Sequence, residues 1–509
     1  MDIAKSEPTP GIIQPNLPQH RDLYYGGAWH PASGDRRSEV TSPSTGLSLG
    51  QVAHADAADV NAAVAAARAG FKVWRDVHPN ERAKILRQIA QIVRDNALEL
   101  AAIDAVDCGN PVKVMLGDAD TAAAQLDFFA GLVTEMKGAS IPMGRGAINF
   151  SIREPIGVVA KILPFNHPFM FVAGKSAAAL AAGNAVIVKP PEQAPLSALR
   201  LAELVEGLLP AGVFNVLPGG REAGAAIASH PQIAMVSLIG SVPTGRAVMQ
   251  AASATVKPLL LELGGKNALI AFADADPMEV ARAMAAGMNF TWCGQSCGST
   301  SRAFVHSSIY EQVLALIPDV CGNFRPGNPL DMATTMGALA SRQQYERVLD
   351  FIASAKSEGA RLICGGEVPA DAQLADGCFV PPTVFADVDP QMRIAREEIF
   401  GPVLSVMPWS EEAAMIETVN AVDYGLTCSI WTNDLDAAHR TAVAVEAGYV
   451  WVNEVSKHFL GAPFGGVKQS GLGREECLGE LLAYTQEKNI HIRIRPQAST
   501  AKTPERHQS

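Results

Sequence analysis

Between Gly157 and Leu263 short apolar runs and helical stretches take turns, and this alternation limits the fold more than any other feature of the chain. Strands are expected at 157–163, 185–188, 212–217, 234–239 and 258–263, with helices at 168–180, 196–208, 221–229 and 244–254 between them. Strand and helix in strict turn leave no room for hairpins, so the strands must run parallel with helical crossovers. Sheets of this doubly wound kind bind ligands at the carboxyl ends of their strands. A second alternating series runs from Asn267 to about Asn453, with strands at 302–306, 403–407, 427–431 and 449–453 and helices at 277–290, 342–358, 411–420 and 435–447. Ahead of both lie helical periodicities at 57–74, 79–107 and 118–137 and a β-like run at 147–153. The expected class is α/β, with two doubly wound parallel-sheet domains.

The chain has 509 residues, too many for one core, so two or three domains are expected. A net charge of −11 argues against nucleic acid and anionic membranes as partners, since both select basic faces. The longest apolar run, 168–188, is interrupted by Lys175 and Asn184 and reads as a buried helix and strand, not a membrane span. The N-terminus has no apolar leader segment. Eight scattered cysteines form no disulfide framework, which points to reduced thiols and a cytoplasmic setting. The stretch 489–495, NIHIRIR, alternates apolar and charged residues as an exposed edge strand would, and such edges invite pairing with a second chain. Polar composition marks 1–20 and 497–509 as disordered arms.

Several short stretches carry chemistry. In 289–302, NFTWCGQSCGSTSR, an apolar helical run breaks into small and polar residues, and Cys297 sits between Ser296 and Gly298 with little bulk around its sulfur. A thiolate is the best side-chain nucleophile once its pKa is lowered, although a free cysteine is also an ordinary small core residue. Cys293 and Cys297 have CxxxC spacing, but no second Cys/His pair follows, so no metal is expected. Glu262 stands among four leucines in LLLELGGKN, where a carboxyl should be pushed up towards the range of a general base. The glycines behind it, Gly264 and Gly265, allow close backbone approach. In PFNHP, 164–168, the amide of Asn166 could donate to a developing oxyanion or cap the next helix. Gly240 and Gly245 in MVSLIGSVPTG would admit a pyrophosphate at a helix N-terminus, yet the GxxxxG spacing equally suits a plain strand-to-helix turn. VIVKPPEQ ends a strand on Lys189 and follows it with Glu192, a pair able to reach a ribose, the carboxylate repelling a 2′-phosphate. EEIFGPV puts Glu398 and Phe400 two residues apart, and 464–473, FGGVKQSGLG, is too long for a simple hairpin.

These motifs together closely resemble the NAD(P)-dependent aldehyde dehydrogenase superfamily, of the hydrolytic rather than the CoA-acylating type. The matching pieces are PFNHP, KPPEQ, IGSVPTG, ELGGKN, GQSC, EEIFGPV and PFGGVKQSGLGRE, in order from about residue 23 to 496. The resemblance implies a cofactor domain at 21–137 and 157–263, a catalytic domain at 264–466, and an oligomerisation element from 138–156 and 484–496, hence a homodimer or homotetramer. It implies that Cys297 is the nucleophile, that Asn166 and the Cys297 backbone N–H form the oxyanion hole, and that Glu262 activates the hydrolytic water. It implies that Lys189 and Glu192 bind the adenosine ribose, that Gly240, Ser241 and Gly245 lie at the pyrophosphate, and that Glu398 holds the nicotinamide ribose. Phe400 would flank the nicotinamide ring, with Pro164, Phe165, Leu263 and Gly264 completing the cofactor site. Glu192 favours NAD over NADP, and Glu262 favours water over CoA as acyl acceptor.

The chain departs from the family pattern around the substrate. The usual PWNFP reads PFNHP, so Phe165 and His167 replace two aromatics. Gly174 stands where many relatives carry a bulky aromatic, which suggests a wider pocket, and Lys457 and His458 occupy a loop where relatives present apolar side chains. With Met170, Trp292, Ser296 and Phe464 these residues form the expected substrate pocket. A bulky or aromatic aldehyde is expected, and a carboxylate on it would pair with Lys457, His458 or His167. The competing readings are a CoA-acylating semialdehyde dehydrogenase, a plain thiol hydrolase, and a non-catalytic protein on the same fold.

Overall fold

The computed structural model describes residues 12–495. Its first sheet has eight strands, in the order Ala28–His30, Leu23–Tyr25, Phe214–Val216, Ala185–Lys189, Val158–Ile162, Met235–Gly240, Leu259–Leu263 and Gly471–Leu472. The five from Phe214–Val216 to Leu259–Leu263 pair in parallel. These are the apolar runs of the alternating segment, and they are buried on both faces, as parallel strands covered by helices must be. The outer strands are antiparallel and only two or three residues long. They come from outside the alternating segment, where no periodicity marks them. Strand order reverses between Val158–Ile162 and Met235–Gly240, which opens a crevice at their carboxyl ends.

The helix expected over 79–107 is two, Pro79–Asp95 and Ala97–Cys108. Asn96 leaves the helical region at φ −112° and ψ 20°, and its Nδ2, at 2.8 Å, joins its own N–H, at 3.1 Å, on the Ile92 carbonyl where the first helix ends. The helix expected at 118–137 is Val112–Gly131; Pro111 takes its N-cap position, and Val112 and Met115 bury its first turn.

The second sheet runs Arg361–Cys364, Thr383–Ala386, Val403–Trp409, Arg302–His306, Ala268–Ala271, Thr427–Trp431 and Tyr449–Val452. All pairs are parallel except the first. A third sheet joins Thr485–Arg493 antiparallel to Ala147–Pro155, with Ser140–Ile141 on its far side. The outer edge of Thr485–Arg493 carries no partner among the described residues, and Ile141, Ile148 and Ile492 are exposed around it. The alternating strand read at 489–495 is therefore the second half of a longer one.

The N-terminal arm is corrected from residue 12 onward. Ile12, Ile13 and Leu17 pack against the core, and the Ile13 N–H donates to the Leu330 carbonyl at 3.2 Å, so 12–20 is held in place. The tail 497–509 and residues 1–11 lie outside the described residues. No described helix is long and apolar enough to cross a membrane.

Candidate active site

Two neighbouring strands of the first sheet and the turn after a third deliver side chains to one place. Val158–Ile162 exits through Pro164 and Phe165 to Asn166, where Pro168 starts the next helix and Asn110 Nδ2 holds the Asn166 carbonyl at 2.8 Å. Ile239 and Glu262 lie opposite each other in parallel register. Glu262 in turn faces Gly471, which belongs to the long Gly-rich loop. A Cβ on Gly471 would stand 2.5 Å from the Leu261 carbonyl, so only glycine lets that loop lie along the sheet edge and cover Glu262. This accounts for the length of 464–473.

Cys297 arrives from the second domain. After the helix Pro277–Gly287 the chain reverses through Asn289, Cys293 and Gly294, all at positive φ near 55–67°. Gly294 packs so tightly on the Gly401 carbonyl that a Cβ there would clash. Asn267 Nδ2 then clamps the loop, donating to the carbonyls of Cys297 at 2.7 Å and Ser299 at 3.0 Å, and Thr427 Oγ1 donates to that of Gly298 at 3.1 Å. The sequence offered Asn267 only as the last letter of LGGKN.

The two domains enclose a cavity of about 460 Å³. Its walls bring together Cys297, Glu262 and Asn166 with His167, Met170, Trp292, Ser296, His458 and Phe464. Cys297 is partly exposed, and its thiol and the Glu262 carboxyl line the same cavity wall. Burial pushes the Cys297 thiol well above its usual range, and the Glu262 charge pushes the same way. Burial also drives Glu262 up to about 8, with Glu475 adding to the rise, and Glu262 Oε1 has no partner. The unliganded pair therefore rests as thiol and acid, and Glu262 is the base within reach of the sulfur's proton. Cys293 is fully buried, its Sγ bonded to the Gly337 carbonyl, and it does not reach the cavity.

Sequence reasoning missed a buried charge cluster on the same walls. Lys175 Nζ lies 2.9 Å from Glu475 Oε2 and 3.3 Å from Glu476 Oε1. Burial works against the Lys175 ammonium, but the two carboxylates outweigh it and its value is raised. Burial likewise opposes ionisation of Glu476, yet Lys175 and His458 hold it down at about 2. Asp118, Gln125, Phe171 and Trp451 were missed too. Asp118 and Gln125 come from a helix far upstream, and no local pattern links them to the motifs.

Two expectations about the pocket are corrected. Gly174 does not line the cavity, because the Gln125 side chain fills the space above it and a Cβ would strike Gln125 Oε1. The missing side chain therefore does not widen the pocket. Lys457 is exposed and outside the cavity; its carbonyl accepts from Trp451 Nε1 at 2.8 Å, which turns the residue outward while His458 faces in.

The remaining predicted residues lie outside this cavity in two groups. In the first, Ser241 caps the helix Val242–Ser253, and Gly245 sits where a Cβ would come within 2.6 Å of Leu263. Glu398 lies over Gly264, which has no room for a Cβ, and accepts from the Gly265 N–H at 2.9 Å; burial pushes its carboxyl up to about 7. Phe400, at φ 55°, stands edge-on to Phe165 at 5.7 Å between ring centres, with Pro164 and Gly240 at the adjoining strand ends. In the second group, Lys189 is buried with only the Pro190 carbonyl as partner among the described residues, at 3.2 Å, and burial lowers it to about 8. Glu192 is near Gly220, where a Cβ would be 3.0 Å from its Oε2. No group of three or more metal-ligating side chains occurs among the described residues.

The sequence profile of the aldehyde dehydrogenase family matches residues 29–490. Aldehyde dehydrogenase tropH of Talaromyces stipitatus is 51% identical over 489 residues, covering 95% of each chain. A betaine aldehyde dehydrogenase of Cereibacter sphaeroides is 42% identical over 459 residues, covering 90% of this chain and 94% of its own. Among solved structures, a mutant of the indole-3-acetaldehyde dehydrogenase AldA of P. syringae in complex with NAD+ and IAA superposes with a TM-score of 0.91 at 38% identity, covering 94% of this chain and 98% of that one. The NAD+ complex of an aldehyde dehydrogenase from Bacillus cereus superposes at 0.90 with 38% identity, covering 94% and 97%.

Proposed function

Since the chain belongs to the aldehyde dehydrogenase family, we propose that it oxidises a bulky aromatic aldehyde to the carboxylic acid with NAD as the hydride acceptor. The observation that carries this reading is the meeting of Cys297, Glu262 and Asn166 around one cavity. Glu262 takes the proton of Cys297, and the sulfur adds to the aldehyde carbonyl. The Asn166 amide and the Cys297 N–H stabilise the oxyanion of the thiohemiacetal. NAD, when bound, accepts the hydride released as that adduct collapses to the thioester. Glu262 passes the proton taken from Cys297 to solvent, then deprotonates the water that attacks the thioester, and returns that proton to the departing sulfur as the acid is released.

The residues of the two outlying groups fit that cofactor. Lys189 is a buried ammonium with one backbone partner, and Glu398 a buried carboxyl with one N–H donor, so both have capacity for ribose hydroxyls. The clashes that bar side chains at Gly245 and Gly264 suit a backbone that must approach a ligand closely. Glu192 would turn away a 2′-phosphate, which favours NAD over NADP. The aromatic walls, Phe171, Trp292, Trp451 and Phe464, support a ring-bearing substrate. A carboxylate on the substrate finds little support, because Lys457 is outside and both histidines already face carboxylates. The free edge of Thr485–Arg493 and the exposed isoleucines beside it support assembly into a homodimer or homotetramer through that sheet.

The test is NADH formation from a panel of aldehydes, without CoA, by wild type and Cys297→Ala. Turnover that needs neither CoA nor NADP, and that the alanine variant loses while still binding NAD, is expected. A strict requirement for CoA, or full activity in the variant, would overturn the reading.

A further inference from the structure

Two histidines stand in the cavity wall, and each is held by a carboxylate. His167 Nδ1 lies 2.8 Å from Asp118 Oδ2, and His458 Nδ1 lies 3.1 Å from Glu476 Oε2. The first pair is the deeper: its side chains are 16% and 7% exposed, against 40% for the His458 side chain at the cavity wall. An ionised carboxylate only accepts hydrogen bonds, so Asp118 fixes the proton on His167 Nδ1 and leaves Nε2 as an acceptor in the neutral ring. Nε2 has no hydrogen-bond partner among the described residues. The His167 ring is 5.7 Å from that of Trp292 and 5.4 Å from that of Phe171. Trp292 Nε1, of a residue on the same wall, is a buried donor with no partner among the described residues. A ring nitrogen without a partner and a donor without one thus belong to two neighbouring rings, 5.7 Å apart between centres, on the aromatic wall of the cavity.

We propose that the His167–Asp118 pair reads a ring hydroxyl, so that the preferred substrates are hydroxylated aromatic aldehydes. A phenolic O–H is the group that satisfies this wall, because it donates to His167 Nε2 and can accept from Trp292 Nε1. A carboxylate can only accept, and it would enter a cavity that already holds Asp118, Glu262, Glu475 and Glu476 against the single, committed ammonium of Lys175. A quaternary ammonium can do neither, and it would leave the buried Trp292 Nε1 without a partner. Asp118 acts here as a positioning residue, through the tautomer of His167. The proposal rests on the aldehyde oxidation argued above and names the class of aldehyde.

The experiment compares kcat/KM for hydroxybenzaldehydes, their O-methyl ethers, unsubstituted benzaldehyde and betaine aldehyde, with NAD. A site that hydrogen-bonds a substrate hydroxyl discriminates strongly against analogues lacking it. The expected preference for the phenol over its ether is roughly tenfold or more, since this pocket is open on one side. His167→Phe should bring the ratio to near one. Asp118→Ala should do the same through KM of the phenol, leaving KM of the ether in place, which a merely structural defect would not do. Lys457→Ala should leave the ratio unaltered. Calorimetric titration of Cys297→Ala with the phenol and the ether gives the same comparison without turnover. Equal values for phenol and ether in the wild type, a ratio that survives His167→Phe, or a higher kcat/KM for betaine aldehyde would overturn the proposal. Failure of every aldehyde to yield NADH would instead remove the aldehyde reading beneath it.

Discussion

Glu262→Gln should make the protein more stable and nearly inactive, and the stability gain should depend on pH. Burial and the nearby Glu475 charge raise the Glu262 carboxyl from 4.5 to about 8, and its Oε1 has no partner. That rise corresponds to ~5 kcal/mol against the ionised form. The raised value favours the fold while the acid is protonated; the advantage is fully present below the unfolded value of 4.5 and is lost as pH climbs through about 8. At about pH 5.5 the wild type therefore carries a penalty of ~1 kcal/mol, and at about pH 9 nearly the whole ~5 kcal/mol. Glutamine has the same shape and no charge, so the gap between variant and wild type should widen by ~3 kcal/mol between those pH values. Paired thermal melts at the two pH values measure this as a difference in Tm, at equal protein concentration because assembly would shift both. Turnover in the variant should fall by roughly 10²–10⁴, and wild-type kcat should rise with pH through about 8 if deacylation limits it. A Tm gap that does not change with pH would refute the reasoning, because it would mean that Glu262 titrates as an ordinary surface acid.

Lys175→Met should lower stability by about 3–5 kcal/mol, since it leaves Glu475 and Glu476 buried without their cation; denaturant unfolding checks this. Gly174→Ala should lower Tm, by about 1–3 kcal/mol of overpacking against Gln125, without changing the preference for large or small aldehydes. Asn166→Ala should cut kcat by roughly 10²–10³ with little change in NAD affinity, as loss of one oxyanion donor does.

The alternating segment 157–263 was legible because parallel strands buried on both faces leave continuous apolar runs; their order in the sheet was not, because the connection from Phe214–Val216 to Met235–Gly240 passes over two strands. The short outer strands Leu23–Tyr25 and Gly471–Leu472 were not legible, because two or three residues fixed by long-range pairing carry no period of their own. Cys297, Glu262 and Asn166 could be read because each stands in a motif whose neighbours constrain it. The pocket walls could not. Gly174 looked like an opening only because the sequence does not say that Gln125, on another helix, fills the space. His167 was visible as a substitution, but its meaning depends on Asp118, 49 residues earlier, which no local pattern connects to it.

The central claim is that carbon from the aldehyde becomes bonded to the sulfur of Cys297 while hydride leaves for NAD. Acid quenching of the wild-type protein within the first turnover after mixing with aldehyde and NAD, followed by mass spectrometry of the peptide containing Cys293 and Cys297, tests it directly. The account predicts an acyl mass on Cys297 in step with about one NADH per chain. NADH without any acylated peptide, or an acyl group on Cys293 in its place, would contradict it.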